Sequence, residues 1–187
     1  NLGGTAIGTG ENAPHNYRDV VVTHLSRITS LPLYRRENLY DAAQNSDDLG
    51  ALSADLAQLA LVLMKLARDL RMLSSGPRGG FFELCLPKVH EGSSFYKDKN
   101  NPIVPETMLQ CGFLVLGAHQ SVQCALQHAE LQLNVFDNVA AISVLDCMGW
   151  LTTCLEKFTS YCLVGISANK QRCHELSHLA SPLKHQR

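Results

Sequence analysis

The chain has 187 residues, with 45% hydrophobic side chains, 6% aromatic side chains and a formal net charge of −1 at pH 7. A chain of this length can bury one sizeable core, and its near-neutral charge lacks the basic surplus typical of nucleic-acid binding. Leu and Ala dominate the apolar content, which favours helices over sheets. We therefore expect an all-α protein whose partners are small molecules or other protein chains.

The first twelve residues are rich in glycine and are followed by a short helix. Gly8-Thr9-Gly10 does not match a nucleotide fingerprint, since no strand precedes it and no Gly-Lys-Ser/Thr follows. Tight backbone turns explain these glycines better. The apolar spacing of the next segment predicts an amphipathic helix from Asn16 to about Thr29. Pro32 prevents this helix from continuing further.

Three long helices follow in the prediction. The first runs from near Glu37 to about Ser74, the second from about Pro102 to His128, and the third from about Asn138 to Tyr161. Each carries apolar residues in alternating steps of three and four. The three stripes are Leu52, Leu56, Leu59, Leu63, Leu66, Leu70 and Leu73; Met108, Cys111, Val115, Ala118, Val122, Ala125 and Ala129; and Ala140, Val144, Cys147, Leu151, Cys154, Phe158 and Cys162.

These patterns predict a bundle of long, roughly antiparallel helices, with a last short helix from Lys170 to about Leu179. The helices are apolar on more than one face, so we expect other subunits or further chain to cover the remainder. The second long helix is interrupted by Gln110, His119 and Gln123, which fits a buried bundle helix better than a membrane span.

Seven cysteines are present, with no Cys-x-x-Cys pair, and we interpret them as reduced, buried residues of a cytoplasmic protein. Cys173, His174 and His178 lack a fourth ligand at suitable spacing, so no metal site is predicted. The chain opens Asn-Leu-Gly-Gly, without a Met or a basic leader segment, and we expect it to be an internal piece.

One polar stretch separates the first two long helices: Gly92-Ser93-Ser94-Phe95-Tyr96-Lys97-Asp98-Lys99-Asn100-Asn101-Pro102. Asn-Pro is a helix-start signal, and a helix that begins there directs unpaired N–H groups and its positive dipole end at the loop. With Ser93, Lys99 and Asn101 nearby, the stretch suits a small anion such as a carboxylate, although a solvated connector would have similar composition.

The same stretch resembles the signature Gly-Ser-Ser-x-Met-x-x-Lys-x-Asn-Pro of the aspartase/fumarase superfamily. Four further blocks in the same order are similar to that family: residues 3–10, 74–78, 131–135 and 165–170. Asn12-Ala13-Pro14 and Ala43-Gln44 are closer to its aspartate ammonia-lyases than to its fumarases.

The resemblance implies the central helical-bundle domain over residues 1–165, incomplete at its N-terminus, and the start of a truncated C-terminal segment over residues 166–187. It also implies reversible elimination of ammonia from L-aspartate to give fumarate, without a metal or organic cofactor. The enzymes of this family are homotetramers whose composite sites take loops from three subunits, and no membrane or nucleic-acid partner is expected.

By the same resemblance, Ser93 is the base that removes the C3 proton, and Ser94 is a supporting residue beside it. Lys99 and Asn101 bind the substrate carboxylate, which becomes an aci-carboxylate. Glu106 orients a His from an upstream segment that this chain does not contain.

Two alternatives remain. One is a fumarase, in which water replaces ammonia. The other is a catalytically inactive helical oligomerisation module, favoured by Tyr96-Lys97-Asp98, where the family has Met-Pro and a small residue. The C-terminal tail, residues 181–187, favours the same alternative.

Overall fold

The computed structural model describes residues 2–90, 92–96 and 99–180, and it is built almost entirely of helices, which confirms the all-α prediction. The elements are α1 (Tyr17–Thr29), α2 (Leu39–Gln44), α3 (Asp47–Leu73), β1 (Leu84–Cys85), α4 (Ile103–Gln127), α5 (Asp137–Phe158), β2 (Ser167–Ala168) and α6 (Lys170–Ala180). One π-helical turn, Thr159–Leu163, extends α5. The strands β1 and β2 form an antiparallel ribbon in which Leu84 lies opposite Ala168 and Cys85 opposite Ser167.

The first long helix is broken near its start, so the prediction of one helix from Glu37 to Ser74 is wrong there. Asn45 adopts an extended backbone conformation and closes α2 by donating its N–H to the Asp41 carbonyl oxygen at 2.9 Å. The Ser46 carbonyl oxygen accepts the first backbone bonds of α3, and Asp47 and Asp48 occupy its first turn. Acidic side chains there complement the positive end of the helix dipole, so the chain restarts as a separate helix.

The chain divides into two compact units, and the first contains Asn1–Asp55 and Gly117–Asp146. Its glycine-rich turn lies close to α2, because a Cβ on Gly8 would stand 2.4 Å from the Leu39 carbonyl oxygen. Asn134 is buried, and both ends of its side-chain amide are hydrogen-bonded: the nitrogen donates to the Ala125 carbonyl at 3.1 Å, and the oxygen accepts from the Phe136 N–H at 2.8 Å. These contacts fix the turn between α4 and α5 within this unit.

The second unit contains Leu56–Leu116 and Cys147–Arg187. Its core joins side chains of α3, α4, α5 and the π-helical turn: Met64, Ala67, Leu70, Met108, Leu109, Phe158 and Cys162. Gly112 lets α4 approach α3 closely, because a Cβ there would lie 2.3 Å from the Met64 sulfur. The domain boundary expected at residue 165 remains a prediction.

The predicted stripes of α4 and α5 are mostly buried, whereas the predicted leucine stripe of α3 is buried only in part. Leu52, Leu59 and Leu66 are 40%, 41% and 39% exposed. Leu70 of the stripe is buried and Leu63 packs against the core, but most other buried residues of α3 lie one position along from a stripe leucine: Ser53, Ala57, Ala60, Met64 and Ala67. The leucine stripe is therefore only part of the apolar face that α3 buries within the chain.

By length and composition alone, α3 and the segment Asp137–Leu163 could cross a membrane. Core helices of soluble bundles meet the same criterion, so this finding assigns neither helix to a membrane. Within the chain, only 33% and 22% of their most apolar stretches are buried. Most residues of these two stretches are therefore not buried within the described part of the chain.

The cysteines are free thiols, as expected, but not all are buried. Cys111, Cys147 and Cys162 are buried, whereas Cys124 is exposed. Burial, with the hydrogen bond and charge of Cys154 and the charge of Cys147, raises the pKa of the Cys111 thiol to about 12. Burial also raises the pKa of Cys162. Thiols held protonated in this way are poor nucleophiles and act as small core residues.

Candidate active site

The loop that precedes α4 is closed at its base by backbone contacts. The Gly92 N–H donates to the Lys99 carbonyl oxygen at 3.1 Å, and the Lys99 N–H donates to the Tyr96 carbonyl at 3.4 Å. A Cβ on Gly92 would lie 2.0 Å from the Lys99 carbonyl oxygen, so only glycine fits there. Lys97 and Asp98, which depart from the family's usual residues together with Tyr96 and Asn100, lie outside the described residues.

Ser93 is half-buried, and its hydroxyl oxygen is a hydrogen-bond acceptor inside this loop. It accepts from the backbone N–H of Phe95 at 3.1 Å and from that of Tyr96 at 3.3 Å. Backbone donors aimed at an oxygen favour its negatively charged form. Ser94, by contrast, is exposed.

Asn101 connects the base of the loop to the start of α4. Its side-chain nitrogen donates to the Gly92 carbonyl oxygen at 3.0 Å, and its own carbonyl accepts from the Ile103 N–H at 2.8 Å. An amide nitrogen has two N–H groups, so one remains available for a ligand after the loop contact is made. The helix starts one residue after the predicted Pro102, as the Asn-Pro signal indicated.

An open cleft of about 1070 Å³ lies beside the loop, within the second unit. The described residues that line it include Lys99, Asn101 and Glu106, but not Ser93 or Ser94. The other lining residues come from the end of α3, the connection after it, β1 and the loop: Arg68, Arg71, Met72, Ser74, Ser75, Gly76, Pro77, Phe82, Leu84, Cys85, Leu86, Tyr96, Asn100 and Pro102. The structure thus brings the predicted carboxylate ligands, Lys99 and Asn101, together in one cleft that has both polar and apolar walls.

The charged side chains described in this cleft are three cations and one carboxylate. Arg68, Arg71 and Lys99 are positive, and Glu106 pairs with Arg71 through an Nε to Oε1 distance of 3.1 Å. An excess of positive charge in a cleft attracts anions, so the composition suits a dicarboxylate ligand. Arg71 was not predicted as a site residue, and the only sequence signal for it is the cluster of charges late in α3.

The three residues considered as metal ligands do not converge. The Cys173 thiol donates to the Glu83 carbonyl oxygen at 3.5 Å, whereas the Nε2 atoms of His174 and His178 lie 3.0 Å apart. Across residues 2–90, 92–96 and 99–180, no group of three His, Cys, Asp or Glu side chains could hold a metal ion.

Comparison with known proteins assigns the family. A family model described as a lyase matches residues 1–117. An aspartate ammonia-lyase from Helicobacter pylori is 41% identical over 175 residues, which cover 94% of this chain and 37% of that protein. The chain belongs to the aspartase/fumarase superfamily. A second aspartate ammonia-lyase of this superfamily, from Escherichia coli, is 38% identical over 173 residues, which cover 92% of this chain and 36% of that protein.

Solved structures of the superfamily match the fold as well. A fumarate lyase:delta crystallin from Brucella melitensis, solved bound to cobalt, superposes with a TM-score of 0.87 and 38% identity over 93% of this chain and 38% of that one. A class II fumarase from Schistosoma mansoni superposes with a TM-score of 0.86 and 29% identity over 92% of this chain and 39% of that one. The chain therefore spans a little over a third of the length of these superfamily members.

Proposed function

We propose that this chain supplies the signature loop and helical core of an aspartate ammonia-lyase, which reversibly converts L-aspartate into fumarate and ammonia. The observation that carries the proposal is the cationic cleft beside the loop, where Lys99, Asn101 and Glu106 meet. The aspartate ammonia-lyases that are 37–41% identical over at least 92% of this chain support this reaction over hydration of fumarate.

In this mechanism, Ser93 in its alkoxide form takes the proton from C3 of aspartate. The electron pair of that C–H bond moves into the adjacent carboxylate and gives an aci-carboxylate dianion. The electron pair then returns from the aci-carboxylate to form the C2–C3 double bond. The C2–N bond breaks with its electron pair kept by nitrogen, so the substrate's ammonium group leaves as ammonia. Serine is a weak base unless its oxyanion is stabilised, and the N–H groups of Phe95 and Tyr96 supply two donors for this purpose.

Lys99 and Asn101 stabilise the charge that develops on the carboxylate. The Lys99 ammonium supplies a positive charge in the cleft, and the second N–H of Asn101 supplies a directed donor. Fixed groups that meet developing charge are usually the largest contribution to catalysis. Glu106, in the first turn of α4, orients a His contributed by a segment outside this chain.

The complete enzyme in this proposal is a cytoplasmic homotetramer with composite active sites. The exposed leucines of α3 support a role in assembly, as does the outer face of α5, where Ile142 and Leu145 are exposed. Contiguous apolar surface of this kind marks an interaction site in a folded protein.

The test uses a chimera in which this chain replaces the matching 37% of the Helicobacter pylori enzyme. We expect fumarate release from aspartate, and we expect Ser93→Ala to lower kcat by about 10²–10⁴-fold, the range of a lost general base. Ser121→Ala removes a hydroxyl from α4 that donates to the Gly117 carbonyl, and should leave turnover unchanged. Full activity of the Ser93→Ala chimera would exclude Ser93 as the base.

The substrates distinguish the alternatives. Turnover of malate but not aspartate would make the enzyme a fumarase. Turnover of neither by a correctly assembled tetramer would favour the inactive oligomerisation module. Tyr96 gives that alternative its structural basis, because this bulky residue is 71% exposed and lines the cleft. In that case, replacing residues 96–98 by Met-Pro-Ala should restore activity.

A further inference from the structure

Two residues far apart in sequence form an ion pair at the edge of the cleft. Arg71 lies in the last turn of α3 and Glu106 in the first turn of α4, with Arg71 Nε 3.1 Å from Glu106 Oε1. Both residues line the cleft together with Lys99 and Asn101. The pair therefore lies among the groups assigned to the substrate carboxylate.

Stability does not explain why the pair lies there. The two side chains are 53% and 37% exposed, and ion pairs this accessible contribute little to folding. Each residue is also favourably placed without the other, because a cation suits a helix C-terminus and an anion suits a helix N-terminus. The pair thus fixes a geometry more than it adds free energy.

The ion pair restricts the orientation of the Glu106 carboxylate. A glutamate side chain has three rotatable bonds, and a directed hydrogen bond from a planar guanidinium restricts them. The bond from Arg71 engages Oε1. Among the described residues, no hydrogen bond to the other oxygen, Oε2, is present, so it can accept one from a group brought into the cleft.

We propose that Arg71 is a positioning residue of the lyase: it holds Glu106 so that the second carboxylate oxygen orients the imidazole from outside this chain. This inference rests on the proposed function. Arg71 acts through Glu106 and not by binding substrate. Its loss should therefore lower turnover without weakening substrate affinity.

The experiment compares Arg71→Gln, Arg71→Lys and Glu106→Gln in the chimera. We expect Arg71→Gln to lower kcat by about tenfold or more with KM changed by less than about twofold, the signature of an interaction made in the transition state. Arg71→Lys should recover part of kcat, because the charge is retained while the planar fork is lost. Arg71→Gln combined with Glu106→Gln should be no slower than Glu106→Gln alone, because both changes remove the same contact.

The control breaks an ion pair on the same helix away from the cleft. Lys65 pairs with Asp69 on α3, and Lys65→Gln should match Arg71→Gln in thermal stability while keeping kcat. A folded parent chimera without lyase activity would overturn the proposed function and this inference together. An active parent whose Arg71→Gln variant keeps its kcat, or whose two changes multiply, would overturn the positioning role alone.

Discussion

The helices α3 and α5 have similar apolar spacing, yet they use it differently. In α5 and its π-helical turn, the predicted stripe is the buried one, from Ala140 and Val144 through Leu151 to Phe158 and Cys162. In α3 the predicted leucines alternate between exposed and at least partly buried, and the buried positions beside them include three alanines, Ala57, Ala60 and Ala67.

The difference shows what apolar periodicity determines and what it does not. A repeat of three and four residues identifies a helix and an apolar arc. When the arc is wider than one neighbour can cover, side-chain size decides which part packs inside the chain. Ala60 and Ala67 are 1% and 0% exposed and permit close helix contact, whereas the bulkier leucines beside them are left for another surface.

The largest effect should come from the buried stripe of α5. Phe158 is 1% exposed and belongs to the core of the second unit. Phe158→Ala leaves a cavity and should lower the free energy of unfolding by about 3–5 kcal/mol in urea denaturation. Tyr161→Ala, an exposed aromatic in the π-helical turn, is the control and should cost far less. Equal losses would mean that the face of α5 is assigned wrongly.

A second prediction enlarges a small buried residue of α3, where the first one truncated a large buried residue of α5. Ala67 is 0% exposed, so Ala67→Leu overpacks the core and should cost about 1–3 kcal/mol. The same substitution at Ala54, on the exposed face of α3, should be nearly neutral. The measurement is again urea denaturation, with an unchanged m-value as the check for two-state unfolding. A neutral Ala67→Leu would show that the alanine stripe is not the packed one.

The sequence predicts the helices themselves well, since Tyr17–Thr29, α4 and α5 lie within a few residues of their expected bounds. It also carries the signal for the break before α3, because Ser46 followed by Asp47 and Asp48 is a helix start that the long leucine pattern obscured.

The candidate site also has one part that the sequence predicts and one part that depends on tertiary packing. The loop is recognisable from its residues, and Gly92 in particular has a local steric reason. The pairing of Arg71 with Glu106 joins positions 35 residues apart, so it depends on how the end of α3 packs beside the start of α4. No spacing rule within one helix contains that information, and the same holds for the choice of the alanine stripe over the leucine stripe.

The smallest effect on the chain's own stability should come from the exposed leucines. Leu59 and Leu66 lie two turns apart on one face of α3, so replacing both with Gln removes apolar area that the chain does not bury. The free energy of unfolding of the chain should change by less than about 1 kcal/mol, as for most surface substitutions.

In the chimera, however, the same double variant should weaken subunit association, measured by sedimentation, because apolar area drives assembly. The matched change Gln58→Ala on the neighbouring exposed position should leave association intact. Loss of chain stability with unchanged association would reverse the assignment, making the leucines part of the chain's own core and α3 equivalent to α5.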